Sequence, residues 1–300
     1  MTVELVLPVR ADIAESPIWD DATGDLLWVD ILAGLVHRFD PQSGVDCSVA
    51  AGQPVGAVAL RDDGDLLLAV RDGFAVLSAE GVLRHLVEVE VAKPASRMND
   101  GACDAAGRYW AGTTDVGRRP GAGSLYRLEG PAGVTRMLSE ATLPNGIDWS
   151  PDGATMYFVD SATGFVDAFD FDLALGTFCR RRHLIEISTE LGMPDGLTVD
   201  ADGFLWVALY RGWAVHRYSP TGNLDRRIEL PVALVTSIAF GDEDMGSLYV
   251  TTASRGLDET ALQEQRGAGG IFRVRPGVCG LAPHRFRSGG SPSGLPACVN

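Results

Sequence analysis

Short apolar runs recur along the whole chain, joined in pairs by tight turns. The clearest copy is Met193-Pro194-Asp195-Gly196-Leu197-Thr198-Val199-Asp200-Ala201-Asp202-Gly203-Phe204-Leu205-Trp206-Val207-Ala208. Two apolar strands flank an Asp-Gly turn, which is a hairpin signature. A third strand follows at Ala214-Val215-His216-Arg217-Tyr218. The same phrase occurs in five further places. It runs from Glu15-Ser16-Pro17-Ile18-Trp19 through Thr23-Gly24 to Leu26-Leu27-Trp28-Val29, and from Val55-Gly56-Ala57-Val58 through Asp63-Gly64 to Leu66-Leu67-Leu68. It returns at Met98-Asn99-Asp100-Gly101, at Pro144-Asn145-Gly146-Ile147 and at Thr236-Ser237-Ile238. The threshold positions of the copies fall at 15, 55, 99, 145, 195 and 237, in steps of 40, 44, 46, 50 and 42.

A period of roughly 40–50 residues with about four short strands each is the mark of propeller blades. The chain is therefore expected to be all-β, a six-bladed β-propeller spanning residues 1–286, with a Ser/Gly/Pro-rich tail at 287–300. The strand Val3 to Pro8 precedes the first copy and is spare. It is expected to pair with the sixth blade and close the ring, removing an exposed edge. Only Leu257 to Gln265 reads as a short helix, in a loop.

Composition adds turns and charge to this picture. The 300 residues are 46% hydrophobic with 36 Gly and 16 Pro, enough for a packed core punctuated by many turns. The formal net charge is −15. Such a surface repels phosphate backbones and anionic lipid, which argues against nucleic acid and membrane partners and for a small neutral or cationic ligand or a cation. The amino terminus lacks a basic region followed by a longer apolar one and reads as an edge strand. No run approaches the ~18 apolar residues of a membrane helix. Five scattered cysteines without a CxxC pair read as free thiols in a reducing, cytoplasmic setting. A monomer or a weak dimer are both compatible with these features.

The chemistry is concentrated at the threshold positions. In a propeller the innermost strands line a central channel, so six equivalent positions converge on one axis. Here they hold, or lie beside, Glu15, Val55, Asn99, Asn145, Asp195 and Ser237. Two carboxylates and two carboxamides aimed at one point need something to neutralise them. A hard divalent cation does so, because carboxylate and amide oxygens are its ligand set. Arg97, two residues before Asn99, supplies either a surface ion pair or a fixed guanidinium over the channel mouth, able to donate to ligand hydroxyls or a developing oxyanion. Asp200-Ala201-Asp202-Gly203 looks like part of an EF-hand loop but lacks the remaining ligands, and the hairpin explains it. GxSxG, HExxH, Walker A and GxGxxG motifs are absent. The five histidines fall on outer strands or linkers and suggest no Ser/His/Asp arrangement.

Glu15-Ser16-Pro17 with Trp19, Arg97-Met98-Asn99-Asp100-Gly101, Pro144-Asn145-Gly146-Ile147-Asp148-Trp149-Ser150, Pro194-Asp195-Gly196-Leu197 and Gly267-Ala268-Gly269-Gly270-Ile271-Phe272 together resemble the SMP-30/gluconolactonase/luciferin-regenerating-enzyme family (regucalcin-like). The resemblance covers residues 3 to 285. It implies one divalent cation held by Glu15, Asn145 and Asp195, with Ca²⁺ first and Mg²⁺, Mn²⁺, Zn²⁺ or iron as alternatives. It implies hydrolysis of sugar-type lactones, with Arg97 and Asn99 contacting the substrate and Asp195 also acting as general base. The same architecture also suits an organophosphate or aryl-ester hydrolase, or a non-catalytic Ca²⁺-binding protein. One departure concerns specificity. Some relatives carry a sugar-binding Glu in the third-blade excursion, Thr114 to Gly123, and that register falls on Gly117 here. Asp115 is a possible substitute, and Arg118 and Arg119 alter the polarity of the rim, which allows a lactone bearing a carboxylate.

Overall fold

The computed structural model describes residues 1–130 and 133–289. It contains six four-stranded antiparallel sheets, and each sheet is one copy of the repeated phrase. After β1 (Glu4–Leu7), the first blade is β2 (Ala14–Asp20), β3 (Asp25–Asp30), β4 (Leu35–Asp40) and β5 (Val45–Ala50). The second is β6 (Val55–Leu60), β7 (Leu66–Val70), β8 (Gly73–Leu77) and β9 (Leu83–Glu88). The third is β10 (Ser96–Cys103), β11 (Tyr109–Asp115), β12 (Gly123–Glu129) and β13 (Gly133–Ala141). The fourth is β14 (Pro144–Trp149), β15 (Thr155–Asp160), β16 (Phe165–Asp172) and β17 (Thr177–Glu186). The fifth is β18 (Met193–Val199), β19 (Leu205–Tyr210), β20 (Ala214–Tyr218) and β21 (Leu224–Glu229). The sixth is β22 (Val235–Gly241), β23 (Ser247–Thr252) and, after the short helix α1 (Glu259–Glu264), β24 (Ile271–Val274).

The sixth blade takes its fourth strand from the other end of the chain. β1 pairs antiparallel with β24, Glu4 opposite Arg273 and Leu5 opposite Phe272, so the ring closes as the spare strand implied. Glu4 and Arg273 reinforce the pairing with an ion pair at 2.9 Å. The first three strands of each blade are largely buried and the fourth is largely exposed, which is why the fourth carries the weakest apolar pattern. A blade is apolar on both faces of its inner strands, so each face must be covered by a neighbour. The core is accordingly divided into layers between successive blades. One layer sets Leu27, Val29 and Val36 against Val58, Leu68 and Ala75, another sets Trp110 and Leu125 against Ile147, Phe158 and Phe169, and the others repeat the scheme around the ring.

Every innermost strand carries a register shift at its start. It falls between Glu15 and Ile18, Val55 and Ala57, Met98 and Gly101, Pro144 and Ile147, Pro194 and Leu197, and Val235 and Ser237. A bulge of this kind bends a strand and re-aims its side chains. Beyond the sixth blade the chain crosses the far end of the channel. Gly280 bridges to Asp200 and donates to the Met245 carbonyl, and Phe286 bridges to Arg61 on the opposite side. Arg287 and Ser288, grouped with the tail by composition, donate to the Gly107 carbonyl and the Asp62 carboxylate. Residues 290–300, including Cys298, lie outside the described residues. Among the described residues no helix is long and apolar enough to cross a membrane.

Candidate active site

The bulges decide which side chains reach the axis. Asn99, Asn145 and Asp195 are the bulged residues of β10, β14 and β18, each the second residue before the strand regains register at Gly101, Ile147 and Leu197. Glu15 stands one position earlier, level with Pro144 and Pro194, since β2 regains register at Ile18. Its extra methylene compensates for the offset. In β2, β6 and β22 the bulge holds Ser16, Gly56 and Thr236 as the counterparts, so the expected positions 15, 55 and 237 each lie one residue beside it. These counterparts stitch neighbouring blades together, with Val58 N–H donating to Ser16 Oγ at 3.1 Å and Thr236 Oγ1 donating to the Ala14 carbonyl at 2.6 Å.

Glycine follows the bulged residue where the inner strands nearly touch. A Cβ on Gly146 would fall on the backbone nitrogen of Leu197 and lie 2.9 Å from the Asp195 carbonyl oxygen. One on Gly196 would fall on the Ser237 side chain. The ring of thresholds is therefore narrow, and it brings the five expected site residues together. Asn99 spends both amide protons there, donating to Asn145 Oδ1 at 2.9 Å and the Pro144 carbonyl at 2.8 Å. Asn145 in turn donates to Ser161 Oγ at 2.8 Å. The Asn99 Oδ1 has no donor in contact among the described residues.

Glu15 and Asp195 are both buried. Burial, followed by the charges of Asp195 and Asp100, holds the Glu15 carboxyl well above its ordinary pKa, against a 2.8 Å hydrogen bond from Ser16 N–H and one from Ser237. Burial and Asp100 do the same to Asp195, with Arg118 opposing. Asp100 points into the same ring and is pushed up to about 6 by burial. It stands in Asn99-Asp100-Gly101, where strict strand alternation would turn it away, and only the bulge turns it inward. Below it a cavity of about 370 Å³ continues along the channel from Ser16, Asp100 and Ser237 to Trp19, Trp149 and the crossing segment at Leu281–His284.

Arg97 is the basic residue of the ring. It donates to the Met98 carbonyl at 2.8 Å and makes no ion pair among the described residues, so the surface-ion-pair reading does not hold. Burial, partly offset by Glu15 and supported by Arg118, lowers its pKa to about 10. Asp115, the candidate substitute for a sugar-binding Glu, is engaged by its own turn. Its carboxylate accepts from Gly117 N–H at 2.9 Å and from Arg119 Nε and Nη2 at 3.0 and 2.9 Å.

Among the described residues no group of three or more His, Cys, Asp and Glu side chains forms a metal cage. The donor set is instead mixed, two buried carboxylates with a carboxamide, and it lacks a basic residue in contact. Like charges buried together call for a proton or a cation. Oxygen donors of this kind suit a hard divalent ion.

A six-bladed propeller with acids, amides and a guanidinium around its channel threshold defines a recognised class. Residues 13–254 match the family described as SMP-30/Gluconolactonase/LRE-like region, and the chain belongs to that family. It is 39% identical to regucalcin of Xenopus laevis over 292 residues, covering 95% of this chain and 98% of that one. Human regucalcin is 38% identical over the same length. Among solved structures, a calcium-binding protein, regucalcin, from Agrobacterium tumefaciens superposes with a TM-score of 0.92 at 31% identity, covering 95% of this chain and 97% of that one. A luciferin-regenerating enzyme superposes with a TM-score of 0.89 at 29% identity, covering 95% and 99%.

Proposed function

We propose that the protein is a divalent-cation-dependent hydrolase that opens sugar-type lactones. The observation that carries this reading is the pair of buried carboxylates, Glu15 and Asp195, drawn together at the channel threshold beside a guanidinium that has no acidic partner in contact. Membership of a family whose description includes gluconolactonase supports the same reading. A cation held by Glu15, Asn145 and Asp195 would supply Lewis acidity toward the lactone carbonyl.

The chain's own groups account for the remainder of the chemistry. Asp195 takes a proton from the attacking water, and burial, which holds its carboxyl above the ordinary range, makes it a stronger base than a free carboxylate. Arg97 donates to the oxyanion as the ring carbonyl becomes tetrahedral. Asn99 has spent its protons on Asn145 and Pro144, which leaves Oδ1 to accept from a substrate hydroxyl. An ester electrophile fits because its alkoxide needs less help to leave than an amine does, taking up the proton that Asp195 has received, and no protein nucleophile is needed.

The test is turnover of an aldonolactone panel at neutral pH, before and after EDTA and after adding back Ca²⁺, Mg²⁺, Mn²⁺ or Zn²⁺. Activity lost on chelation and regained with cation supports the proposal. Activity indifferent to EDTA overturns the role of the cation. Turnover confined to phosphotriesters or aryl esters overturns the substrate class. A Ca²⁺-dependent rise in Tm without any turnover favours a non-catalytic calcium-binding protein, the property that the Agrobacterium tumefaciens relative carries in its name.

A further inference from the structure

We propose that Arg118, on the tight turn between β11 and β12, determines specificity in this site by selecting lactones that bear a carboxylate. The inference rests on the lactonase reading and deepens it.

The turn hangs over the substrate-facing side of the ring. In the β10–β11 ladder Arg97 lies opposite Thr114 and Ser96 opposite Asp115, so the chain turns immediately beyond Arg97. Val116 N–H donates to the Ala95 carbonyl at 2.8 Å, which pins the turn to the segment entering β10. Asp115 organises the rest, accepting from Gly117 N–H and clasping Arg119, so that this acid and this base satisfy each other. Arg118 is held by its backbone, with its N–H donating to the Asp115 carbonyl at 2.7 Å and φ at +55°. A non-glycine residue in the left-handed region costs about 1 kcal/mol or more and persists where the surroundings enforce it.

The exposed Arg118 side chain has no hydrogen-bond or ion-pair partner among the described residues. Its charge nevertheless bears on Arg97, Asp195 and Tyr210, which belong to the third and fifth blades. The ladder thus sets the turn that carries Arg118 beside Arg97, placing two guanidiniums at one mouth, and neither has a carboxylate in contact. A neutral sugar lactone would offer them hydroxyls and leave their mutual repulsion in place. A carboxylate would neutralise it and match the planar guanidinium fork with two parallel hydrogen bonds. Lysine carries the same charge without that fork.

The experiment compares two lactones of one ring size and stereochemistry, a hexonolactone and the hexarolactone with a carboxylate at the terminal carbon. They are assayed with the cation-loaded wild type, Arg118→Ala and Arg118→Lys. The wild type is expected to favour the hexarolactone in kcat/KM, and Arg118→Ala to cut that preference by about 10–100-fold. The loss should lie mainly in KM, and Arg118→Lys should recover only part of it. A preference equal in wild type and Arg118→Ala, or a wild type that favours the neutral lactone, overturns the proposal. Binding of the open hexarate dianion is measured in parallel by calorimetry. Should neither lactone be opened, the lactonase reading falls by itself. Dianion binding that weakens in Arg118→Ala would still uphold anion selection, and binding insensitive to the substitution would overturn it.

Discussion

At the scale of single residues, buried acids serve two opposite purposes. Asp200 is fully buried and fully used: Oδ2 accepts from Trp206 Nε1 and from Arg217 Nε, both at 2.8 Å, and Oδ1 accepts from the N–H groups of Asp202 and Phe204 at 3.0 Å. Asp104 does the same for Trp110 and Arg108 in the third blade. Such an acid holds its blade turn together, and Asp200→Ala leaves Arg217 without its buried partner and three N–H groups, those of Asp202, Phe204 and the Trp206 indole, orphaned. A loss of about 3–5 kcal/mol is expected, a fall in Tm on the order of 10 °C, read by thermal unfolding. Glu15 and Asp195 are buried without such support. Asp195→Asn should therefore lower kcat by roughly 10²–10⁴-fold, since the group that takes the proton is gone. In EDTA the same variant should melt no lower than the wild type, because one of two repelling carboxylates has been removed. Full turnover in Asp195→Asn would take that residue out of the mechanism.

At the scale of elements, the bulge at the head of each inner strand is what makes a site out of a sheet. Regular alternation would send successive side chains to opposite faces. The bulge instead turns Asn99 and Asp100 toward the same channel, and the glycine after Asn145 or Asp195 lets adjacent strands meet without a Cβ between them. Gly146→Ala puts a methyl group against the rigid backbone at Gly196 and Leu197, so β14 and β18 must separate and carry Asn145 away from Asp195. A fall of roughly 10²-fold in activity is expected from a displacement near 1 Å, together with weaker cation binding by calorimetry. Gly24→Ala is the comparison. It has the left-handed φ of +77° but open space around it, so it should cost about 1 kcal/mol and leave kinetics alone. Equal kinetic effects of the two substitutions would contradict the close-approach account.

At the scale of the molecule, the ring depends on a join between its two ends. β1 covers the edge of β24 and buries Leu7 in the layer between the sixth and first blades. Deleting residues 1–8 should lower Tm by about 5–10 °C and leave an unpaired edge that promotes self-association. Thermal unfolding and light scattering read the two effects, and an unchanged melt would separate β1 from closure. The segment from Gly280 to Phe286, crossing the far end of the channel, leaves the threshold mouth as the side from which a substrate would approach Arg97 and Asp195.

Much of this was legible before any coordinates. Hydrophobic alternation and Asp-Gly turns are local signals, and they marked the six blades, the closing strand β1 and the short helix α1. Residue chemistry marked Glu15, Arg97, Asn99, Asn145 and Asp195, because acids and amides at the heads of apolar strands have no packing reason to be there. The one-residue offset of Glu15, the inward turn of Asp100, the capture of Asp115 by Arg119 and the isolation of Arg118 were not legible. The first two depend on a bulge, where a shift of one residue reverses a side chain's direction, and the last two depend on how the turn beyond β11 folds, which decides which of its side chains meet.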